Sequence, residues 1–338
     1  MSTMARSAQA RGQFQTIAPF FLDRILSPRP PTRLRDPLRS QLSDPDRGLV
    51  PLIAERYRST IEGPHRQLRI LLHGLASDHR AHYLSAQLRE SLRVGADAIS
   101  VALRGACGEG IDHYHAGLTA ELHALLRDPR LDEYDEITVT GYSLGGLLCL
   151  RFAAETKDPR VRAVAALCPP LLLDEVQRHL DLPGQRLYRS LLLTALRAAY
   201  LKIWRNAREA GLPLAPSRSD ISQIKSFKDW DETVVLSRFP FTSQAHYHAE
   251  VSMNAERLSE ISFPTLIYLE EYDPMIPFSA FAPIVEPLRA GCWPQLELVV
   301  SQGGGHLGFP SKLRLLPEGD PGLAPQLERW FQEKLDRP

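Results

Sequence analysis

Three residues of this sequence could together transfer an acyl group: Ser143, Asp273 and His306. Ser143 sits in Gly141-Tyr142-Ser143-Leu144-Gly145, with Gly146 next. Five residues with two free positions recur by chance, so the surroundings must carry the argument. Residues 136–140 are short and β-branched, and a helix-forming stretch runs on through Ala153. That is the strand, sharp turn and helix that a nucleophile elbow requires. Glycines at 141 and 145 keep the crossing strand and helix clear of a serine held in a strained backbone. The elbow also brings the serine oxygen to a helix N-terminus, whose free N–H groups favour developing negative charge.

A serine hydroxyl is a poor nucleophile until a base takes its proton, and histidine has the pKa for that task. Among eleven histidines, His306 stands in Gln302-Gly303-Gly304-Gly305-His306-Leu307-Gly308-Phe309, directly after the last strand-like run. It also satisfies the chain order serine, acid, histidine. The glycines read as freeing the loop to carry an imidazole over the serine. Asp273, in Glu270-Glu271-Tyr272-Asp273-Pro274, follows the apolar run 265–269. Its task would be to accept the histidine N–H and fix the tautomer. Glu270 and Glu271 are rivals. Asp273 is preferred because it reaches furthest past the strand and Pro274 fixes the turn, with Glu271 the remaining candidate. One oxyanion donor is expected from the Leu144 N–H, just after the nucleophile. The loop His73-Gly74-Leu75 offers the second, the Leu75 N–H. His73, Gly74 and Tyr142 are expected to touch substrate. The spacing His73-x4-Asp78 matches one seen in acyltransferases, but this histidine precedes the oxyanion loop and the match reads as coincidence.

Elements of two kinds must position these residues. Residues 69–74, 96–103, 136–140, 161–167, 265–269 and 295–300 are strand-like runs. Residues 80–92, 117–126, 144–153 and 323–335 are helical in pattern. Such alternation implies βαβ units and a mostly parallel central sheet flanked by helices, with ligand chemistry at the carboxyl ends of its strands. The rhythm breaks over 171–261, where helices are expected at 187–205 and 223–238. This insertion reads as a helical lid over the rim. The division expected is an irregular arm at 1–45, a core of 46–170 and 262–338, and the lid.

Lys+Arg and Asp+Glu both number 40 in 338 residues, which removes the electrostatic case for a nucleic-acid partner. The first fifty residues hold eight Arg against four Asp; a solvated arm is the plain reading and peripheral membrane contact the alternative. No run of about eighteen apolar residues suggests a membrane span. Four cysteines without a C-x-x-C pair point to a reducing compartment and a cytoplasmic protein. His113 and His115, like His246 and His248, are i, i+2 pairs, but no carboxylate or cysteine set accompanies them, so neither metal nor cofactor is expected. His246-Tyr247-His248 reads as lining the substrate entrance.

Taken together, HGL at 73–75, RGACGE at 104–109, YHAG at 114–117, GYSLGG at 141–146, PTLIYLEEYDP at 264–274 and GGGHLGF at 303–309 resemble the YheT-like α/β-hydrolases, the AB hydrolase 4 family. LYRSLL at 187–192 and SFKDWDE at 226–232 are similar to that family's insertion. The likeness runs from about residue 45 to the C-terminus; Tyr272 departs where the family often has Asp. It implies an α/β-hydrolase fold, Ser143, Asp273 and His306 as a triad, and action on carboxylic esters. It also makes Arg104, Gly105 and Glu109 a second signature, read here as a turn-stabilising ion pair. The sequence leaves open a carboxylesterase or lipase-like hydrolase, an alcohol O-acyltransferase, and a catalytically silent binding protein on the same fold. Acyl chain length and oligomeric state are not legible in it.

Overall fold

The computed structural model describes residues 12–16, 35–61 and 66–336. One 8-stranded sheet organises it: β1 (Arg35–Asp44), β2 (Gly48–Tyr57), β3 (Gln67–Leu72), β4 (Asp97–Ala102), β5 (Glu136–Tyr142), β6 (Val161–Leu167), β7 (Thr265–Glu270) and β8 (Leu296–Ser301). Their spatial order is β1-β2-β4-β3-β5-β6-β7-β8. β2 runs antiparallel to both its neighbours, and every other pairing is parallel. In β3, β4 and β5 all residues but the first are buried. Helices cover both faces, which is why these strands read as continuous apolar runs and not as alternations.

Between the strands run α1 (Leu84–Arg93), α2 (Ala120–Leu126) and α3 (Leu144–Glu155). Residues 171–261 contain no strand; they carry α4 (Leu173–Leu180), α5 (Arg186–Glu209), α6 (Arg218–Gln223), α7 (Phe227–Trp230), α8 (Leu236–Arg238), α9 (Gln244–Val251) and α10 (Ala255–Ser259). α11 (Ala282–Arg289) and α12 (Leu323–Leu335) complete the chain. α1 and α12 share one face of the sheet, where Leu84 and Leu88 meet Leu327, Trp330 and Phe331. A carboxylate lies inside this layer: Glu328 accepts from Arg69 Nε at 2.9 Å, Gln87 Nε2 at 2.6 Å and Ser91 Oγ at 2.6 Å. Three donors offset the desolvation that an unpaired buried carboxylate would suffer.

Three expectations need correction. Residues 35–44 are not irregular: they form β1, an edge strand in register from Arg35↔Tyr57 to Asp44↔Gly48. Of the inward positions only Leu38 and Leu42 are large and apolar, so the period-two signal was diluted by Asp36, Ser40 and Asp44. Pro37 is tolerated because an edge strand can turn its missing N–H outward. Asp44 Oδ1 accepts from the N–H groups of Asp46 and Arg47, both at 3.0 Å, and closes the turn into β2. Residues 1–11 and 17–34 of the expected arm lie outside the described residues. Second, the helix expected over 223–238 is broken, because Ser226 and Asp229 form a capping box that starts α7 afresh. A π-helical turn at Asp231–Val235 then joins α7 to α8. Third, α1 begins at Leu84 and not at Arg80, since the Asp78 carboxylate accepts from the Arg80 N–H and holds the preceding residues in a turn. Among the described residues no helix is long and apolar enough to cross a membrane.

Candidate active site

Ser143 follows β5 and precedes α3 with φ +54° and ψ −120°. A methyl on Gly141 would stand 2.0 Å from the Gly145 carbonyl oxygen, and one on Gly145 would stand 2.6 Å from those of Leu72 and His73. All these obstacles are backbone, so neither glycine can be replaced without moving a strand. The Ser143 N–H donates to the Leu167 carbonyl at 2.8 Å, which ties the turn to the end of β6.

Ser143 Oγ donates to His306 Nε2 at 2.9 Å, and His306 Nδ1–H donates to Asp273 Oδ2 at 2.6 Å. An ionised carboxylate only accepts, so the ring proton belongs on Nδ1 and the Nε2 lone pair faces the serine. Asp273 is itself held: Oδ1 accepts from the N–H groups of Met275 at 2.8 Å and Ile276 at 3.0 Å. Its rivals point elsewhere. Glu270 accepts from the Tyr268 hydroxyl and the Gly304 N–H, and Glu271 from the Gln302 side chain. Ser143, Asp273 and His306 are 8%, 7% and 7% exposed, so their pairing is sheltered from water.

The Leu75 and Leu144 N–H groups have no acceptor among the described residues, and both residues line the cavity above Ser143. The loop carrying Leu75 is pinned on either side. The Gly74 N–H donates to the Tyr83 hydroxyl at 2.8 Å and the Ala76 N–H to the Tyr114 hydroxyl at 3.2 Å. A Cβ on Gly74 would lie 3.1 Å from Ser143 Cβ, so this loop lies directly against Ser143. Tyr83 and Tyr114 were missed as positioning groups; YHAG at 114–117 was the only sequence trace of them. His73 and Tyr142 do not line the cavity, contrary to expectation. His73 is wholly buried, donating from Nδ1 to the Gly74 carbonyl at 2.8 Å and accepting at Nε2 from the Leu103 N–H at 3.1 Å. Tyr142 packs on the other face of the sheet against Tyr83 and Phe309.

A cavity of about 740 Å³ opens over these groups. Leu75, Leu144 and Met275 wall it from the rim, and Val176, Leu192 and Leu196 from α4 and α5. Polar groups line it too, among them Asp78, Arg80, Gln177, His113, His115 and Asp231. His115 Nδ1 accepts from the Gly117 N–H at 3.1 Å. Of 246–248, Tyr247 alone lines the cavity, its hydroxyl accepting from the Ala116 N–H at 2.9 Å. His248 instead bonds Asp231 Oδ2 at 2.9 Å, and His246 bonds Thr242. Burial pushes the Asp231 carboxyl upward.

Cys168, Asp273 and His306 place metal-capable atoms within 4.8 Å of one another. Their chemistry does not fit a metal. Burial, with the Asp273 and Glu270 carboxylates nearby, pushes the Cys168 thiol well up and keeps it protonated. The thiolate is the ligand form, and Asp273 and His306 are already paired.

Arg104 does not pair with Glu109. Glu109 meets Arg39 at the surface, at 2.7 Å. Arg104 instead holds Asp44 at 2.6 Å, Asp112 at 2.9 Å and Glu121 at 2.6 Å, all buried. Arg238 of α8 joins the cluster through Asp44 at 2.8 Å and Asp112 at 2.9 Å, fastening the inserted helices to the sheet. Gly105 lets the chain pass: at φ +72° its Cβ would meet the Asp112 carbonyl oxygen at 2.3 Å.

Three histidines near the site are held in the neutral form, His73 and His113 buried and His115 half-buried. Burial holds His73 and His113 down at about 4 and His115 at about 3. An unfolded histidine titrates near 6.5, so the unfolded chain binds more protons below that pH. Stability from these groups is complete above about pH 6.5 and is lost as the pH falls toward 4, by up to about 4 kcal/mol per pH unit for three sites. Glu55, held down to about 2 despite burial by His79, Arg80 and Tyr57, adds an acid-labile contribution only below its unfolded value of 4.5. The melting temperature is therefore expected to fall steeply between pH 6.5 and 4.5. A flat profile across that interval contradicts neutral burial of these rings.

A family model described as the alpha/beta hydrolase family matches residues 70–313. YheT of Escherichia coli (strain K12), a protein named among the esterases, is 26% identical over 264 residues, covering 76% of this chain and 74% of that one. Among solved structures, an esterase of Pyrococcus furiosus superposes with a TM-score of 0.54 at 17% identity, over 93% of this chain and 95% of that one. An acylaminoacyl peptidase of Pyrococcus horikoshii reaches 0.50 at 10% identity, over 81% of this chain and 38% of that one. These two likenesses speak to the fold alone. The elbow, the strand order and the match over 70–313 together place this chain in the alpha/beta hydrolase family, as a YheT-like member.

Proposed function

We propose that this esterase-like hydrolase cleaves carboxylic esters through an acyl-enzyme on Ser143. As Ser143 Oγ attacks the ester carbonyl, His306 Nε2 takes its proton, and Asp273 steadies the imidazolium that results. The Leu75 and Leu144 N–H groups receive the oxyanion. The carbonyl reforms as the alcohol leaves with the proton from His306, and water repeats the sequence to release the acid. The observation that carries this reading is the unbroken pair of bonds, 2.9 Å from serine to histidine and 2.6 Å from histidine to aspartate, at a buried rim. The apolar walls of the cavity favour a medium or long acyl chain over acetyl.

The test is labelling with a fluorophosphonate probe, which reacts with an activated serine. Wild type should label, and Ser143→Ala and His306→Ala should not. Folded wild-type protein that takes no label rejects the proposal. Across p-nitrophenyl esters, octanoate should exceed acetate by about 100-fold in kcat/KM, less than the ~0.8 kcal/mol per methylene of full burial. Acetate as the best substrate would reject the assignment of the cavity to the acyl chain.

A further inference from the structure

Residues 12–16 form a short helical segment whose place in the molecule sets it beside the catalytic histidine. Thr16 Oγ1 accepts from the His306 N–H at 2.8 Å and donates to the Gly12 carbonyl at 2.8 Å, so the hydroxyl has one orientation. Thr16 is 9% exposed and lines the cavity beside Ser143. The segment and the histidine loop meet backbone to backbone. A Cβ on Gly305 would stand 2.2 Å from the Gly12 carbonyl oxygen, and one on Gly308 would stand 1.9 Å from that of Gln15. Gly12 is equally confined, its Cβ falling 2.3 Å from the Tyr272 carbonyl oxygen. The glycines flanking His306 thus serve close approach of another segment. The Gly305–Gly308 turn is closed by its own two hydrogen bonds, and Leu307 within it is at φ +58°. His306 is consequently gripped at two points: its ring by Asp273 and its main chain by Thr16.

We infer that residues 12–16 are a strap that positions the catalytic histidine, with Thr16 the residue through which it acts. Thr16 touches no reacting atom; it fixes where the His306 backbone starts, and hence where Nε2 ends relative to Ser143. A base displaced by a fraction of an ångström loses rate far more than binding, because Thr16 is one small contributor to a cavity walled mainly by Leu75, Leu144, Met275 and the residues of α4 and α5. This inference rests on the acyl-enzyme reading proposed above.

The experiment compares wild type, Thr16→Val and Thr16→Ser as full-length protein on p-nitrophenyl octanoate. Fluorophosphonate stoichiometry counts the competent sites in each preparation. Valine keeps the shape but removes the acceptor, so kcat per titrated site should fall about tenfold with KM within about twofold. Serine restores the acceptor and should recover most of that loss. A merely structural role for Thr16 predicts fewer titratable sites with wild-type kcat at each, and that result overturns the inference, as does an unchanged kcat in Thr16→Val. Failure of the underlying reading shows separately, as wild type that takes no label or Ser143→Ala that still does.

Discussion

Ser143→Ala is expected to lower kcat on p-nitrophenyl esters by about 10⁴-fold or more while leaving the fold intact. The substitution removes one oxygen. Its only described side-chain partner is His306 Nε2, which the cavity can serve with water. A companion variant separates chemistry from architecture. Ser143 sits at φ +54° and ψ −120°, a conformation that costs an L-residue about 1–3 kcal/mol and costs glycine far less. Ser143→Gly should therefore be as inactive as Ser143→Ala yet melt higher. Calorimetry beside a rate assay checks both. Substantial turnover by a folded Ser143→Ala protein would remove Ser143 from the mechanism; a Ser143→Gly protein no more stable than wild type would remove the strain argument.

Asp273→Asn should be nearly as damaging, about 10⁴-fold in kcat, for a different reason. The carboxylate makes three hydrogen bonds with two oxygens: Oδ1 accepts from Met275 and Ile276, and Oδ2 accepts from His306 Nδ1. Asparagine can keep one acceptor oxygen for the two amides only by presenting its NH₂ to the imidazole. Nδ1 must then accept, the proton moves to Nε2, and no lone pair remains for the serine. KM should change little, since Asp273 does not form the walls that hold the acyl chain. Steady-state kinetics decide it. A loss confined to KM, or a drop of less than tenfold, would mean that His306 keeps its tautomer without Asp273.

The meeting of Ser143, Asp273 and His306 was legible because the proposed chemistry demands particular residue types just past strand-like runs, and β5, β7 and β8 end one, three and five residues before them. Features set by distant partners were not. Tyr142 borders Ser143 in sequence, but alternation along a strand sends its side chain to the other face of the sheet. His73 sits at a strand end too, yet its two nitrogens are spent on backbone groups at Gly74 and Leu103. The glycines around His306 read as flexibility because the segment that needs their space is about 290 residues away. Arg104 looked like half of a local pair, while its partners come from residues 44, 112 and 121. Strand β1 was hidden by polar residues at inward positions of an edge, where only two leucines mark the buried side.

The buried cluster around Arg104 bears on how such a chain can diversify. Arg238 belongs to the inserted helices, but the carboxylates it neutralises belong to the β1–β2 turn and to the loop after β4. An insertion of this kind is not an interchangeable cassette. Exchanging it for a shorter one would leave Asp44, Asp112 and Glu121 sharing Arg104, with Arg47 standing 3.9 Å from Asp112 as the nearest relief. Uncompensated charge in that setting costs several kcal/mol, a large share of what holds a domain together. The cavity can therefore be reshaped at single positions of α4 and α5 that face it, such as Val176, Leu192 and Leu196, whereas the segment's far anchor must be inherited with the sheet it grips.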